Sequence, residues 1–343
     1  MQIKITKPSK LLDKQGKLMQ KGYATYPLLK YRRRNVARKL RLKEWDYYLI
    51  YNDQYAVAMT VGRSLSILLI SATVIDLISE KRITKNIIKF VSKEKFSMPE
   101  SSVQGNLHYQ DKDVNITILN HNGNRELYFY MKSFCNDKDL NICIDLTQEP
   151  KDSMVIATPF KEDENDFYYN RKVIGMRASG TVLLDNKMIT FNSTQSFALL
   201  VWGRGVWPYK TTWYWSVGQG MVNGNLFGFN LGYGFGDTSA ATENMLFLNG
   251  IANKLTDVTF HIPINEKKEY DYLKSWIITS SDRRIEMVFT PILDRSAVLS
   301  MIVLSTNQHQ VFGKFTGTAI LDDGTIILLN DFFGFAERVE NRW

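Results

Sequence analysis

The chain has 343 residues, 44% hydrophobic and 13% aromatic, enough for two domains or one large one around a packed core. The formal net charge of +8 is uneven: residues 1–43 carry fourteen Lys or Arg against the single acid Asp13, while the remaining 300 hold 29 basic and 34 acidic residues. Basicity therefore belongs to the N-terminal segment, and no recognisable nucleic-acid module accompanies it.

MQIKITKPSK lacks a compact apolar core followed by a small-residue cleavage site, so no signal peptide is expected and a cytoplasmic location follows by default. Lys30–Lys43 (KYRRRNVARKLRLK) reads either as a patch for a peripheral anionic partner, nucleic acid or membrane, or as an arm that packs back on the acidic remainder; the second reading is preferred. Period-two alternation then predicts strands over Tyr47–Tyr51 and Tyr55–Val61. The apolar run Leu65–Ser79 is shorter than the ~20 residues of a membrane-spanning helix and carries Asp76, so it reads as a buried strand and no transmembrane segment is expected.

Further strands are expected at Val114–Leu119, Glu126–Lys132, Leu140–Thr147 and Gly180–Leu184, with HNGN (121–124) and LLDN (183–186) as turns. Cys135 and Cys143 have no zinc spacing and read as reduced structural thiols. The polar run 160–171 is the best linker candidate and divides the chain into 1–165 and 166–343. Beyond it lie LLVWGRGVWPYKTTWYWSVGQG (199–220), with four of the seven tryptophans, and the apolar face Phe227, Phe229, Leu231 and Tyr233 opposite a nearly bare Gly228, Asn230 and Gly232. Ser239–Leu248 is the best short helix, followed by strands at Asp257–Ile264, Arg284–Thr290, Val311–Leu321 and Thr325–Leu329. The class is mainly β: two antiparallel barrels or sandwiches with few short helices.

A bare strand face inside a barrel leaves room for a small apolar ligand, which Asn230 could orient and Trp202, Trp207, Trp213 and Trp215 could surround; the alternative is that the tryptophans fill that face. A carboxyl group among indoles would hold its proton and serve as a general acid, with Asp237 and Glu243 as catalytic candidates, Asn244 beside them, and Asp294, Glu337 and Glu340 later in the chain. Arg204 could bind a ligand carboxylate or pair with an internal acid such as Asp237. GYGFGD (232–237) lacks dinucleotide-loop spacing, no histidine pair or serine elbow is present, and neither metal nor cofactor is expected.

WGRGVWPYKTTWYW (202–215), GFNLGYGFGDTSAATENMLFLNG (228–250) and KLTDVTFHIP (254–263) resemble the signature of the DUF2804 family, a group without an assigned activity; KGYATYPLL (21–29), LKEWDYYLIY (42–51) and GFAERVENRW (334–343) extend the likeness over nearly the whole chain. At fold level the resemblance implies two lipocalin-like, or calycin-like, β-domains, as in carotenoid 1,2-hydratases and fungal lipocalin-like Diels–Alderases. It also implies an Asp before the Trp of W-G-R-G, where this chain has Val201. The expected function is binding of a small, largely apolar ligand, with cofactor-independent hydratase, isomerase or cyclase activity; a carbohydrate-active enzyme with paired carboxylates and a non-catalytic binding or scaffold protein are the alternatives.

Overall fold

The computed structural model describes residues 2–92, 95–300 and 305–342; Trp343, the last residue of the family-like C-terminal stretch, lies outside them. It consists of two curled antiparallel sheets, a two-stranded parallel pair formed by Ser9–Lys10 and Leu29–Lys30, and two single 3-10 turns, Arg33–Asn35 and Lys39–Arg41. The first sheet runs in the order Lys81–Phe90, Ile67–Asp76, Tyr55–Ser64, Leu42–Tyr51, Phe197–Val206, Phe167–Leu184, Lys138–Thr147, Asn124–Cys135, Val114–His121 and Leu107–Gln110. Met154–Pro159 and Lys187–Phe191 pair with the two halves of Phe167–Leu184. That strand changes partners at a bulge between Ile174 and Met176, where Gly175 takes φ +91°, a conformation costly for any residue with a Cβ.

The second sheet runs Ile251–Lys254, Met245–Leu248, Asn225–Tyr233, Lys210–Val222, Ile326–Arg342, Ser305–Ile320, Ile285–Ser300, Trp276–Ser280 and Val258–His261. The two sheets therefore divide between Val206 and Lys210. The polar run 160–171 joins Met154–Pro159 to Phe167–Leu184 within the first sheet, and the division expected at 165/166 crosses that sheet.

Each sheet wraps its own apolar core, and a third core lies between them. Alternation decides the assignment residue by residue: Leu140, Ile142, Ile144 and Leu146 point into the first barrel while Asn141, Cys143 and Asp145 face solvent. Cys135 and Cys143 are free thiols.

Two expectations change. Ser239–Leu248 is no helix, because its backbone is bonded elsewhere: the Ala240 carbonyl accepts from Ile3 N–H, the Thr242 N–H donates to Gln2 Oε1, and Met245–Leu248 pairs with Asn225–Tyr233. Ile264 is exposed, since Pro263 offers no N–H and the ladder ends at His261.

The basic segment is largely tied down. Arg32 pairs with Glu100, Arg33 with Glu44, and Arg38 with Asp163 and Asp166. This is the arm packed against acidic partners.

Candidate functional site between the two sheets

All ten residues of Phe197–Val206 are buried, because the strand has a core on each side. Ala198, Leu200, Trp202 and Val206 enter the first barrel, while Leu199 and Val201 face the second sheet. Gly203 and Gly205 share that second face. A Cβ on Gly203 would lie 2.2 Å from the Trp45 indole, and one on Gly205 would lie 3.0 Å from Trp207 Nε1. The glycines of W-G-R-G thus let two indoles rest directly on the strand backbone.

The four clustered tryptophans consequently part company. Trp202 packs edge-on against Tyr31 and Tyr169 inside the first barrel. Trp207 lies between the sheets, its ring 5.3–5.8 Å from Phe160, Tyr168, Trp213 and Trp45. Trp213 and Trp215 alternate onto the same face of the second sheet.

Arg204 belongs with Trp202. Its guanidinium stacks on the Trp202 ring at 4.0 Å, donates to Asp46 Oδ1 at 2.9 Å and to the carbonyls of Trp45, Gly203 and Pro99, and lies 3.6 Å from Glu44. Glu44 also accepts from Tyr31 and Arg33. Arg204 is therefore paired internally, with Asp46 and Glu44 in place of the expected Asp237. The cavity beside it, lined by Asp46, Tyr48, Arg125 and Trp202, measures about 20 Å³ and holds no more than a water-sized guest.

The between-sheet layer contains the richer chemistry. Lys172, wholly buried, makes a 2.6 Å ion pair with Glu243 and sits 4.4 Å over Trp215 and 4.9 Å from Phe235. Burial pushes the Lys172 ammonium below its ordinary range, partly countered by Glu243. The Tyr168 hydroxyl lies 3.4 Å from the same carboxylate, and burial raises that phenol well above 10.

Asn230 accepts from Trp215 Nε1 at 2.7 Å and donates to the Glu243 carbonyl at 2.8 Å. Asn244 takes the Gly232 N–H and donates to Thr256. The face expected to be bare is filled: a Cβ on Gly228 would meet Ile174, and one on Gly232 would meet Glu243, each at 2.7 Å.

Across the second sheet, on the same face, Glu337 accepts from Trp213 Nε1 at 2.9 Å and Gln310 Nε2 at 3.2 Å; Gln310 in turn accepts from Arg295. Burial drives the Glu337 carboxyl up to about 7, with those hydrogen bonds and the nearby Lys172 and Arg295 charges opposing. Asn170 is fully buried on the strand that carries Tyr168 and Lys172, with its amide beside the Tyr168 hydroxyl, and among the described residues Trp207 Nε1 has no hydrogen-bond partner.

The two acids singled out first fare differently. Glu243 is in this layer. Asp237 is half-buried at a turn, where the Ser239 N–H holds its carboxyl below the usual range, the opposite of what a proton donor needs. Asp294 bonds His309 and Glu340 bonds Arg338, both outside this layer. Among the described residues no three His, Cys, Asp or Glu side chains gather to hold a metal ion.

Sequence reading missed Lys172, Tyr168, Asn170 and Gln310. The only available signal was polar residues at alternate positions of an otherwise apolar strand, Tyr168, Asn170 and Lys172 in FYYNRKVIG. Val201 lies cross-strand from Lys172 and Tyr47 and faces away from Arg204, so an Asp there would meet the Lys172 side of the layer.

A family model described as a domain of unknown function, DUF2804, matches residues 2–343. The chain belongs to the DUF2804 family. None of the curated proteins matches it in sequence. Among solved structures, a protein described as AttH from Nitrosomonas europaea shares the fold with a TM-score of 0.54 at 12% identity, over 88% of this chain and 92% of that one. Kievitone hydratase from Nectria haematococca is similar at 0.46 and 10% identity, over 88% of each chain, and CghA with Sch210972 at 0.47 and 7%, over 89% of each. The AttH likeness establishes for this DUF2804 chain a fold of two lipocalin-like β units and says nothing of activity; the other two are too distant to add to it.

Proposed function

We propose that this DUF2804 protein is a cofactor-independent enzyme that binds a small, largely apolar molecule between its two sheets and acts on it by proton transfer. The observation that carries this reading is Glu337, a buried carboxyl group half-protonated near neutral pH and bonded to an indole N–H among tryptophans. In this reading Glu337 donates the proton. Asn170, whose buried amide lies beside the Tyr168 hydroxyl, takes the one polar group of the substrate. Lys172, fixed by Glu243, sets the local field, and Trp207, Trp213 and Trp215 supply the apolar walls. Hydration, isomerisation and cyclisation all fit a site that moves a proton.

Trp45 and Trp213 are half-buried and reach the rim of the layer, so ligands are expected to report through tryptophan fluorescence. A panel of unsaturated and hydroxylated apolar compounds screened by quenching, then by mass spectrometry for water addition, water loss or isomerisation, identifies the substrate. With that substrate, Glu337→Gln is expected to slow turnover by roughly 10²-fold or more, in line with loss of a general acid. Turnover unchanged in Glu337→Gln overturns the assignment. Quenching without any chemical change overturns the enzyme reading and leaves a binding protein.

A further inference from the structure

The outer face of the first sheet bears an apolar stripe that none of the described residues covers. Lys81–Phe90 is an edge strand, and its residues Ile88 and Phe90 are 64% and 83% exposed. The cross-strand register sets Phe90 beside Ile67 and Ile88 beside Leu69, both exposed, and continues from Leu69 through Gly62 to Trp45. Trp45 is 5.8 Å from Trp207, so the stripe runs from the sheet edge to the indoles that rim the between-sheet layer.

The same end of the barrel is basic. The row Phe90, Ile67, Ser64, Lys43 is continuous and leads back to the Lys39–Arg41 turn, where Lys39 is exposed and Leu40 is 76% exposed; burial pushes the Lys43 ammonium down to about 6, so the charge at this end comes from the residues before it. The acids at this end are engaged: Glu100 by Arg32, Glu44 by Arg33, Asp163 and Asp166 by Arg38. Arg34 and Lys39 are exposed beside them and, among the described residues, form no ion pair.

Contiguous exposed apolar side chains next to unneutralised cations match the interface of a bilayer with anionic headgroups, where both terms add. A second copy of the chain is disfavoured at the strand edge. Lys89 bridges from it to Asp111 and Asp113, and Lys85 to the carbonyls of Lys132 and Ser133, which blocks edge-to-edge pairing. We infer that this face docks the protein peripherally on anionic lipid surfaces, with Phe90 and Ile88 inserted and Arg34 and Lys39 on the headgroups. Docking sets the Trp45 rim against the membrane, where apolar molecules partition. The inference does not depend on Glu337.

The test is flotation of the whole protein with phosphatidylcholine vesicles, with and without phosphatidylserine, at low and high salt. Binding is expected only with phosphatidylserine and weaker at high salt. Phe90→Ser/Ile88→Ser and Arg34→Glu/Lys39→Glu are each expected to weaken it by about tenfold or more, because each removes one of the two terms. All four positions are exposed, so folding is expected to survive, with circular dichroism as the check. Glu337→Gln is expected to float like the wild type. Absence of binding to phosphatidylserine vesicles at low salt, or binding that either double variant leaves intact, overturns the inference. So does a sedimentation-velocity dimer that Phe90→Ser/Ile88→Ser converts to monomer, because the stripe would then be covered by a second copy.

Discussion

A carboxyl group enclosed between two sheets, with one indole and one amide to bond, keeps its proton to about pH 7, and this has a thermodynamic signature at Glu337. Its folded value lies above the ordinary 4.5, so between those values the folded protein holds a proton that the unfolded chain has released. The favourable contribution is present in full below pH 4.5 and is lost as pH rises through 7. Glu337→Gln is therefore expected to be near-neutral for stability at pH 4 and stabilising by about 3 kcal/mol at pH 8, measured by denaturant unfolding at both values. An equal effect at the two pH values contradicts the burial assigned to this group. Lys172 poses the complementary case: Lys172→Met strands Glu243 without its partner and is expected to cost about 3–5 kcal/mol. Lys172→Met/Glu243→Leu is expected to recover much of that loss, because neither charge then remains buried alone.

At the level of single strands, two glycines flanking one indole make a controlled comparison. Gly203 and Gly62 are both cross-strand neighbours of Trp45, but an added Cβ at Gly203 would overlap the ring, whereas at Gly62 it would find contacts of 3.8–3.9 Å. Gly203→Ala is expected to lower stability by about 1–3 kcal/mol or more through overpacking, and Gly62→Ala to be tolerated within ~0.5 kcal/mol. Thermal melts of the pair decide it; equal losses would mean that Trp45 does not rest on the Gly203 backbone. Strands were the most legible part of the sequence, because alternation as regular as that of Leu140–Leu146 states both the element and its inward face. Alternation fails where both faces are buried. The first half of Phe167–Leu184, through Met176, and all of Phe197–Val206 are sandwiched between cores, so their sequences do not announce that Lys172 and Arg204 point to opposite sides. Ser239–Leu248 misled for another reason: its helical spacing was outweighed by partners more than two hundred residues away.

The molecule as a whole is held together by the third core, which takes Tyr47, Leu199 and Trp207 from the first half and Trp215, Phe312 and Phe335 from the second. Neither sheet can keep its between-sheet face dry alone, so calorimetry is expected to show one cooperative unfolding transition, whereas two resolved transitions would show that the sheets are independent. This sharing also explains why the site was only half visible in sequence. The Trp-rich stretch marked one wall, and Glu243 and Glu337 were within reach of residue-type arguments. Lys172, Tyr168 and Asn170 come from the other sheet, and only the docking of the two halves brings them opposite. Linear proximity had suggested that Trp202, Arg204 and Asp237 belong together, and folding assigns them to a barrel interior, the same interior and a surface turn.

The doubly buried strand Phe197–Val206 has one more consequence, for inheritance. A strand with one wet face can absorb many exchanges on that face, but here every position meets a core, and parity alone separates the Arg204 side from the Gly203 side. Inserting a single codon near Leu200 would turn the guanidinium toward the indoles and the glycines toward the first barrel, reversing every downstream position at once. Divergence in this segment is therefore confined to substitutions that preserve its length, and its spacing should outlast the identity of any one of its residues.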